Sequence, residues 1–198
     1  MQDHFKHKAQ EWDQGDVRVN GAKVIADAIL KKFSLTENMQ IMDFGVGTGL
    51  LGFEIAKHVK QVYGVDMSQS MLEKLKEKNR PNLHIEAIHQ DIVKKPLEMQ
   101  FDGIISSMTL HHVQDIEKFF DSIYKNLHKN GFIAIADLEK EDGTFHSDNT
   151  GVYHYGFEEE ELTHHLKNAG FQNISFEKIN TISKPHKKFD IFLLTATR

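Results

Sequence analysis

The run Asp43-Phe44-Gly45-Val46-Gly47-Thr48-Gly49-Leu50-Leu51-Gly52 joins an apolar stretch, Gln40 to Phe44, to a helical pattern through a loop spaced by glycines. Such a loop can cradle a nucleotide. Glycine lets the backbone turn sharply and approach a ligand, and the unpaired N–H groups that open the next helix face it. Two further acids stand at comparable places. Asp66, in Val65-Asp66-Met67-Ser68, ends the run Gln61 to Val65 and can accept both hydroxyls of a ribose. Asp91 follows Leu83 to Ile88 and precedes apolar Ile92, a pair suited to an adenine amine and ring face. Asp43 lies inside the end of its strand, where a cationic ligand group would account for a carboxylate. Each acid also has a local use: Asp43 as a structural acid, Asp66 as a cap for the helix opening at Ser68, and Asp91 as a cap for the turn after its strand.

The loop alone fits two cofactor classes. Gly47, Gly49 and Gly52 satisfy the Gly-x-Gly-x-x-Gly fingerprint of dinucleotide enzymes, with Asp66 near the spacing of a ribose-binding acid, so a nicotinamide or flavin oxidoreductase is one reading. Against it stand Asp43, which has no duty at a dinucleotide, and a chain end that reads as an antiparallel hairpin. The 13 histidines add a second kind of chemistry. His111 and His112 follow the fourth strand, and His146 and His154 share a polar stretch with Glu139, Asp142 and Tyr155. Without cysteine or a His-Glu-x-x-His motif their spacing gives no metal site, but an imidazole titrating near neutrality can take a proton from an oxygen or carbon acid. His111, His146 and His154 are therefore the candidate catalytic residues.

These residues need a scaffold that brings strand ends together, and the remaining sequence supplies one. Val24, Ile25, Ala28, Ile29 and Phe33 recur at helical spacing, after an earlier short helix expected around Phe5 to Trp12. Strand Gln40 to Phe44, helix Leu50 to His58, strand Gln61 to Val65, helix Ser70 to Lys78 and strand Leu83 to Ile88 then alternate, the pattern of a parallel sheet. Strand Phe101 to Ser106 and a helix from Asp115 to Leu127 follow, the helix ended by Asn130-Gly131 ahead of a buried strand, Phe132 to Ala136. Glu139 to Gly156 has no period and reads as a functional loop. Helix Glu158 to Asn168 opens with four glutamates that complement its dipole and closes at Gly170. Runs Ile174 to Ile182 and Phe189 to Thr197, joined through Lys184-Pro185-His186-Lys187-Lys188, read as the terminal hairpin.

Composition bounds the partners. At 198 residues, 39% hydrophobic and 27% charged, the chain is read as one globular domain over 1–198, with a helical lid over 1–35 and a core over 36–198. The net charge of −5 argues against a nucleic-acid footprint, and no apolar run spans a membrane. A small-molecule partner is expected. The first residues, Met1 to Lys8, lack the apolar core of a signal peptide, and the absence of cysteine fits a reducing compartment, so the expected location is cytoplasmic.

Taken together, the motifs resemble those of the class I S-adenosylmethionine-dependent methyltransferases. Asp43 to Gly49 resembles the family's first motif, Asp66 its ribose-binding acid, and Asp91 with Ile92 its adenine contact. Phe101-Asp102-Gly103-Ile104-Ile105-Ser106-Ser107-Met108-Thr109-Leu110-His111-His112-Val113 resembles the fourth-strand segment of the branch containing ubiquinone and menaquinone C-methyltransferases. The resemblance implies a Rossmann-like doubly wound α/β fold of seven strands, mostly parallel with a C-terminal antiparallel hairpin strand, preceded by N-terminal helices. It implies S-adenosylmethionine as donor and S-adenosylhomocysteine as product, held by Trp12, Asp43, Gly45, Val46, Gly47, Gly49, Leu50, Asp66, Met67, Asp91, Ile92 and Ser107. It also implies an N-terminal lid, with Phe5, Trp12 and Asp13 as its candidates in a stretch, Ala9-Gln10-Glu11-Trp12-Asp13, similar to one seen in that branch. The expected activity is methyl transfer to a small-molecule acceptor. A cofactor-binding module without turnover and the oxidoreductase are the alternatives.

Overall fold

The structure, a computed structural model, describes residues 9–198. Phe5 and most of the expected first helix lie outside the described residues. What is described of that segment is a single 3-10 turn, Trp12–Gln14, leading into α1 (Asp16–Lys32). The chain then runs β1 (Gln40–Phe44), α2 (Leu50–Ile55), β2 (Gln61–Asp66), α3 (Gln69–Lys78), β3 (Ile85–His89) and β4 (Phe101–Ser107). It continues through α4 (Ile116–Lys125), β5 (Leu127–Leu138), α5 (Glu159–Ala169), β6 (Gln172–Ser183) and β7 (Lys188–Thr197).

The seven strands form one sheet in the order β3-β2-β1-β4-β5-β7-β6. The pairs β1–β2, β2–β3, β1–β4 and β4–β5 are parallel, whereas β7 runs antiparallel between β5 and β6. The expected doubly wound sheet with its terminal hairpin is therefore present, with β6 as the outer strand. Because strand order reverses between β1 and β4, their carboxyl ends diverge from the crossovers on either side and leave a crevice, where open α/β sheets bind ligands.

Alternating strand residues bury both faces. Met42, Val65, Ile104 and Ile133 pack with Phe119, Phe120 and Ile123 of α4 and with Leu162 and Leu166 of α5. Ile41, Val62, Ile105 and Ala134 pack with Ile25 and Ile29 of α1, Leu51 and Ile55 of α2, and Leu72 and Leu75 of α3. Local signals set the helix starts: the Ser68 hydroxyl accepts from Met71 N at 3.3 Å, and the Asp115 carboxylate accepts from Lys118 N at 3.0 Å.

Two boundaries depart from expectation: α2 stops at Ile55 rather than His58, and the junction of α4 with β5 shifts. α4 stops at Lys125, and Leu127 already pairs with Phe101 as the first residue of β5. The cause is Asn126, whose side-chain amide donates to Leu97 O at 2.8 Å and Met99 O at 2.7 Å and pulls the chain out of the helix. Asn130-Gly131 is thus not a helix stop. It is an irregularity within β5, with Asn130 at φ 67°. Leu127, fully buried, sits four residues after Ile123, so the apolar period fits a longer helix as well as a new strand.

Phe120 is fully buried in the α4 cluster, with its ring 5.4 Å from that of Phe119 and 6.4 Å from that of Phe171. Phe120→Ala should lower the unfolding free energy by about 3–5 kcal/mol, from lost transfer energy and the cavity left behind. Urea unfolding measures it, and a loss below about 1 kcal/mol would show that the cluster collapses onto the gap.

Candidate active site

A cleft of about 1700 Å³ opens at the carboxyl ends of β1, β2, β4 and β5 and is lined by the glycine loop, the turn after β4 and the loop after β5. Gly45 and Gly47 have φ of 68° and 54°, a region open to glycine at little cost. A Cβ built on Gly47 meets no protein atom within 4 Å, so the space beside it is open to a ligand. Gly49 has another reason to be glycine. It is the N-cap of α2 at φ 88°, a Cβ there would stand 2.8 Å from the Phe53 ring, and it is not among the cleft-lining residues. Gly45, Val46, Gly47, Thr48 and Leu50 form the wall, and Gly49 packs against Phe53.

The three acids differ in what surrounds them. Asp66 organises the cradle, with Oδ2 accepting from Gly47 N and Oδ1 from Ser68 N, both at 2.8 Å. Asp43 is 2% exposed, and its Oδ2 has no hydrogen-bond partner. Burial, then the negative charge of Asp66, pushes its carboxyl well above the ordinary range against the opposing pull of the Gly52 amide. A cation seated in the cleft would relieve both effects. Asp91 carries its local duty: Oδ1 accepts from Val93 N at 3.2 Å and Lys94 N at 3.3 Å, and Oδ2 pairs with Lys94 Nζ at 3.0 Å. It lines the cleft together with Ile92, Met67, Ser107 and Trp12.

The N-terminal segment is fastened over this cradle by a residue placed in the lid. Asp13 accepts from the Thr48 hydroxyl through Oδ1 and from Lys78 Nζ through Oδ2 at 2.6 Å. The Arg18 guanidinium lies 4.3 Å from the centre of the Trp12 ring.

Opposite the cradle stands a histidine cluster. His111, 1% exposed, places Nδ1 at 2.7 Å from Asp137 Oδ1, and its backbone N–H donates to Asp137 Oδ2 at 3.2 Å. Burial by itself would raise the fully buried Asp137 carboxyl. The charge and hydrogen bond of His111, with the Leu138 and His111 amides, outweigh burial and hold it below the ordinary range. When the ring is neutral, an ionised Asp137 fixes the tautomer with the proton on Nδ1, which leaves His111 Nε2 as a lone pair with no protein partner. The His146 ring lies 4.9 Å from that of His111, and its Nε2 is also buried and unpartnered. Burial, then the charges of His111, His112 and Lys184, lowers His146 to about 4 against the opposing pull of Asp137, so it is neutral at pH 7.

His154 does not share this arrangement. Its Nε2 meets Val113 O at 2.9 Å and its ring packs 5.1 Å from Phe157, so it has a structural duty whatever part it takes in the chemistry. Its backbone N–H and that of Tyr153 donate to His111 O, which ties the loop after β5 across the turn after β4. Asp137 is the functional residue that the motifs do not mark. Its available signal is the one that marks Asp43 and Asp66: a single acid ending an apolar strand.

The comparisons with known proteins agree with this geometry. The model of the methyltransferase domain family matches residues 42–135, from the middle of β1 into β5. An uncharacterized methyltransferase of Schizosaccharomyces pombe is 28% identical over 187 residues, covering 85% of this chain and 65% of its own. A ubiquinone biosynthesis O-methyltransferase of Pelagibacter ubique is 29% identical over 127 residues, covering 60% of this chain and 52% of its own. The chain thus spans one half to two thirds of the length of these relatives. Among solved structures, phosphoethanolamine N-methyltransferase 2 of Haemonchus contortus, in complex with S-adenosyl-L-methionine, superposes with a TM-score of 0.73 at 21% identity, covering 96% of this chain and 56% of its own. Fold and matched segment together define a Rossmann-like methyltransferase domain. Just under half of the chain thus matches the methyltransferase domain family, and the curated relatives that it resembles are named methyltransferases; the oxidoreductase alternative is not favoured.

His146 gives a pH signature that needs no substrate. Its imidazole titrates near the ordinary 6.5 in the unfolded chain and near 4 in the native one, so between those values the unfolded state binds more protons. Stability should fall as pH drops through that window. His146→Gln should flatten the fall in urea midpoints between about pH 6.5 and 4; an unchanged slope would mean that His146 is not held in its neutral form.

Proposed function

We propose that this protein transfers a methyl group from S-adenosylmethionine to a small-molecule acceptor bound in the cleft beside His111. The observation that carries the reading is His111, which lines the same cleft as the glycine cradle, is held by Asp137 and has its Nε2 left without a protein partner. The acids fit the donor. The open space at Gly47 suits its closest approach, the unpartnered Asp43 suits a ligand bearing positive charge, and Asp66 suits a ribose at the end of β2. Met67, Asp91 and Ile92 would hold the adenine, while Trp12, Val46, Leu50 and Ser107 would close the walls around it. A relative named for O-methylation in ubiquinone biosynthesis and a fold neighbour named for N-methylation of phosphoethanolamine agree with a small acceptor.

Bound S-adenosylmethionine supplies a methyl group already activated by the sulfonium. The chain's own residues align, dry and neutralise. Gly45 to Thr48 and Asp66 fix the donor, and the loop carrying His146 and Tyr153 covers the acceptor side and keeps water out. His111 takes the acceptor's proton on Nε2, and Asp137 holds the ring in the required tautomer and stabilises the imidazolium that forms.

Asp137→Asn keeps the shape and removes the charge. It should lower kcat by about 10²- to 10⁴-fold, the usual worth of a general base, while calorimetry gives the same affinity for S-adenosylmethionine within about twofold. Unchanged kcat would remove His111 from the reaction. Asp66→Ala should do the opposite, weakening S-adenosylmethionine by about 10- to 100-fold through the lost charge-assisted hydrogen bonds, and an unchanged affinity would take Asp66 out of the site.

A further inference from the structure

We infer that the acceptor atom is the oxygen of a weakly acidic hydroxyl, a phenol or an enol, gripped between two histidines: His111 Nε2 removes its proton, and His146 Nε2 donates a hydrogen bond to the same oxygen. The inference rests on the methyltransferase reading and deepens it by naming the acceptor class and a second catalytic residue.

Two buried ring nitrogens without partners stand on neighbouring rings, 4.9 Å apart between centroids, and both rings line the cleft. Buried polar atoms left unpaired cost about 1–3 kcal/mol each, so two in one place mark a ligand that satisfies both. The two are not equivalent. Asp137 holds His111 with its lone pair on Nε2, whereas His146 has no carboxylate at hydrogen-bond distance among the described residues and stays neutral. A neutral imidazole with its proton on Nε2 is a donor. Lone pair and donor together match a hydroxyl, which gives one proton and accepts another.

The surroundings favour an oxygen over other acceptors. An amine enters at pH 7 as an ammonium, which has no lone pair to receive the His146 N–H, and it would face His111, His112 and Lys184, the groups whose charge already opposes protonation of His146. Asp137, the acid in contact with the His111 ring, is spent on it. A thiol accepts hydrogen bonds only weakly. Phe145 covers the His146 ring edge-on at 4.8 Å, an apolar wall suited to a flat acceptor. Acidity also selects: a phenol resembles tyrosine at about pKa 10, within reach of a paired imidazole, whereas an aliphatic alcohol does not titrate in the accessible range.

The step balances. The O–H pair becomes the nucleophile as its proton passes to His111 Nε2, the oxygen bonds to the methyl carbon, and the C–S pair returns to sulfur, neutralising the sulfonium. His111 leaves as an imidazolium paired with Asp137. Because His146 is held neutral throughout, it neither competes for the proton nor repels the donor.

Calorimetry on the full chain saturated with S-adenosylhomocysteine tests this with four probes: 4-methylphenol, the enol of acetylacetone, benzylamine and thiophenol. Each probe is then incubated with S-adenosylmethionine and fresh chain free of S-adenosylhomocysteine, and the S-adenosylhomocysteine formed is counted. We expect binding and transfer for the phenol or the enol and neither for the amine or thiol. His146→Phe should weaken that binding about tenfold, the worth of one hydrogen bond, and His146→Gln, which keeps an N–H, should restore most of it. Methylation of the amine or thiol, no binding of either oxygen acid, or equal binding by His146→Phe would overturn the assignment. Failure of the wild-type chain to bind S-adenosylhomocysteine at all would overturn it together with the reading beneath it, and is distinguishable from the other outcomes.

Discussion

The carboxylate of Asp137 is the contact on which the acceptor side of this site depends. It lies fully buried at the end of β5, where it accepts from the His111 ring, the His111 backbone N–H and the Leu138 N–H at once. Three donors satisfy a charge that burial would otherwise expel, and in doing so they pin the turn after β4 to its neighbour β5. From that turn the constraint spreads: the His111 carbonyl accepts from Tyr153 and His154, His112 Nδ1 meets Gly151 O at 2.7 Å, and the loop after β5 is drawn over the cleft. Removing the imidazole would leave the buried carboxylate with two backbone donors and without its ring partner, a loss of about 3–5 kcal/mol.

The donor side follows a similar logic with a more exposed acid. Asp66 ties Gly47 and Ser68 together, so one carboxylate shapes the glycine loop and the start of α3. Asp13 then fastens the N-terminal segment to Thr48 and Lys78 on the same two elements. Asp43, by contrast, is buried without a partner for Oδ2. Such an atom is tolerated in a stable fold when a ligand is to use it, and its place beside the glycine loop is where the methyl donor would put its positive charge.

Much of this was legible in the residues. Strand–helix alternation gave β1 to β4 within two residues at each end, and the acids at strand ends marked the donor side, because both signals are local. What escaped depends on contacts distant in sequence. α4 ends where Asn126 reaches Leu97 and Met99, contacts almost 30 positions away that leave no trace in the apolar period. Gly49 fits a cofactor fingerprint yet is glycine because of Phe53. Four histidines near the cleft look alike as letters. His111 differs from His154 through Asp137, 26 positions along the chain from His111, and Val113, which claims the His154 ring.

Proton transfer depends on the protonation state of one ring, and nitrogen-15 NMR of His111 in the labelled, S-adenosylhomocysteine-saturated protein reads it directly. At alkaline pH, where imidazole is neutral, we predict a protonated Nδ1 bonded to Asp137 and a bare Nε2. A proton on Nε2, with Nδ1 bare, would contradict the account, because the ring would then have no lone pair to offer the acceptor.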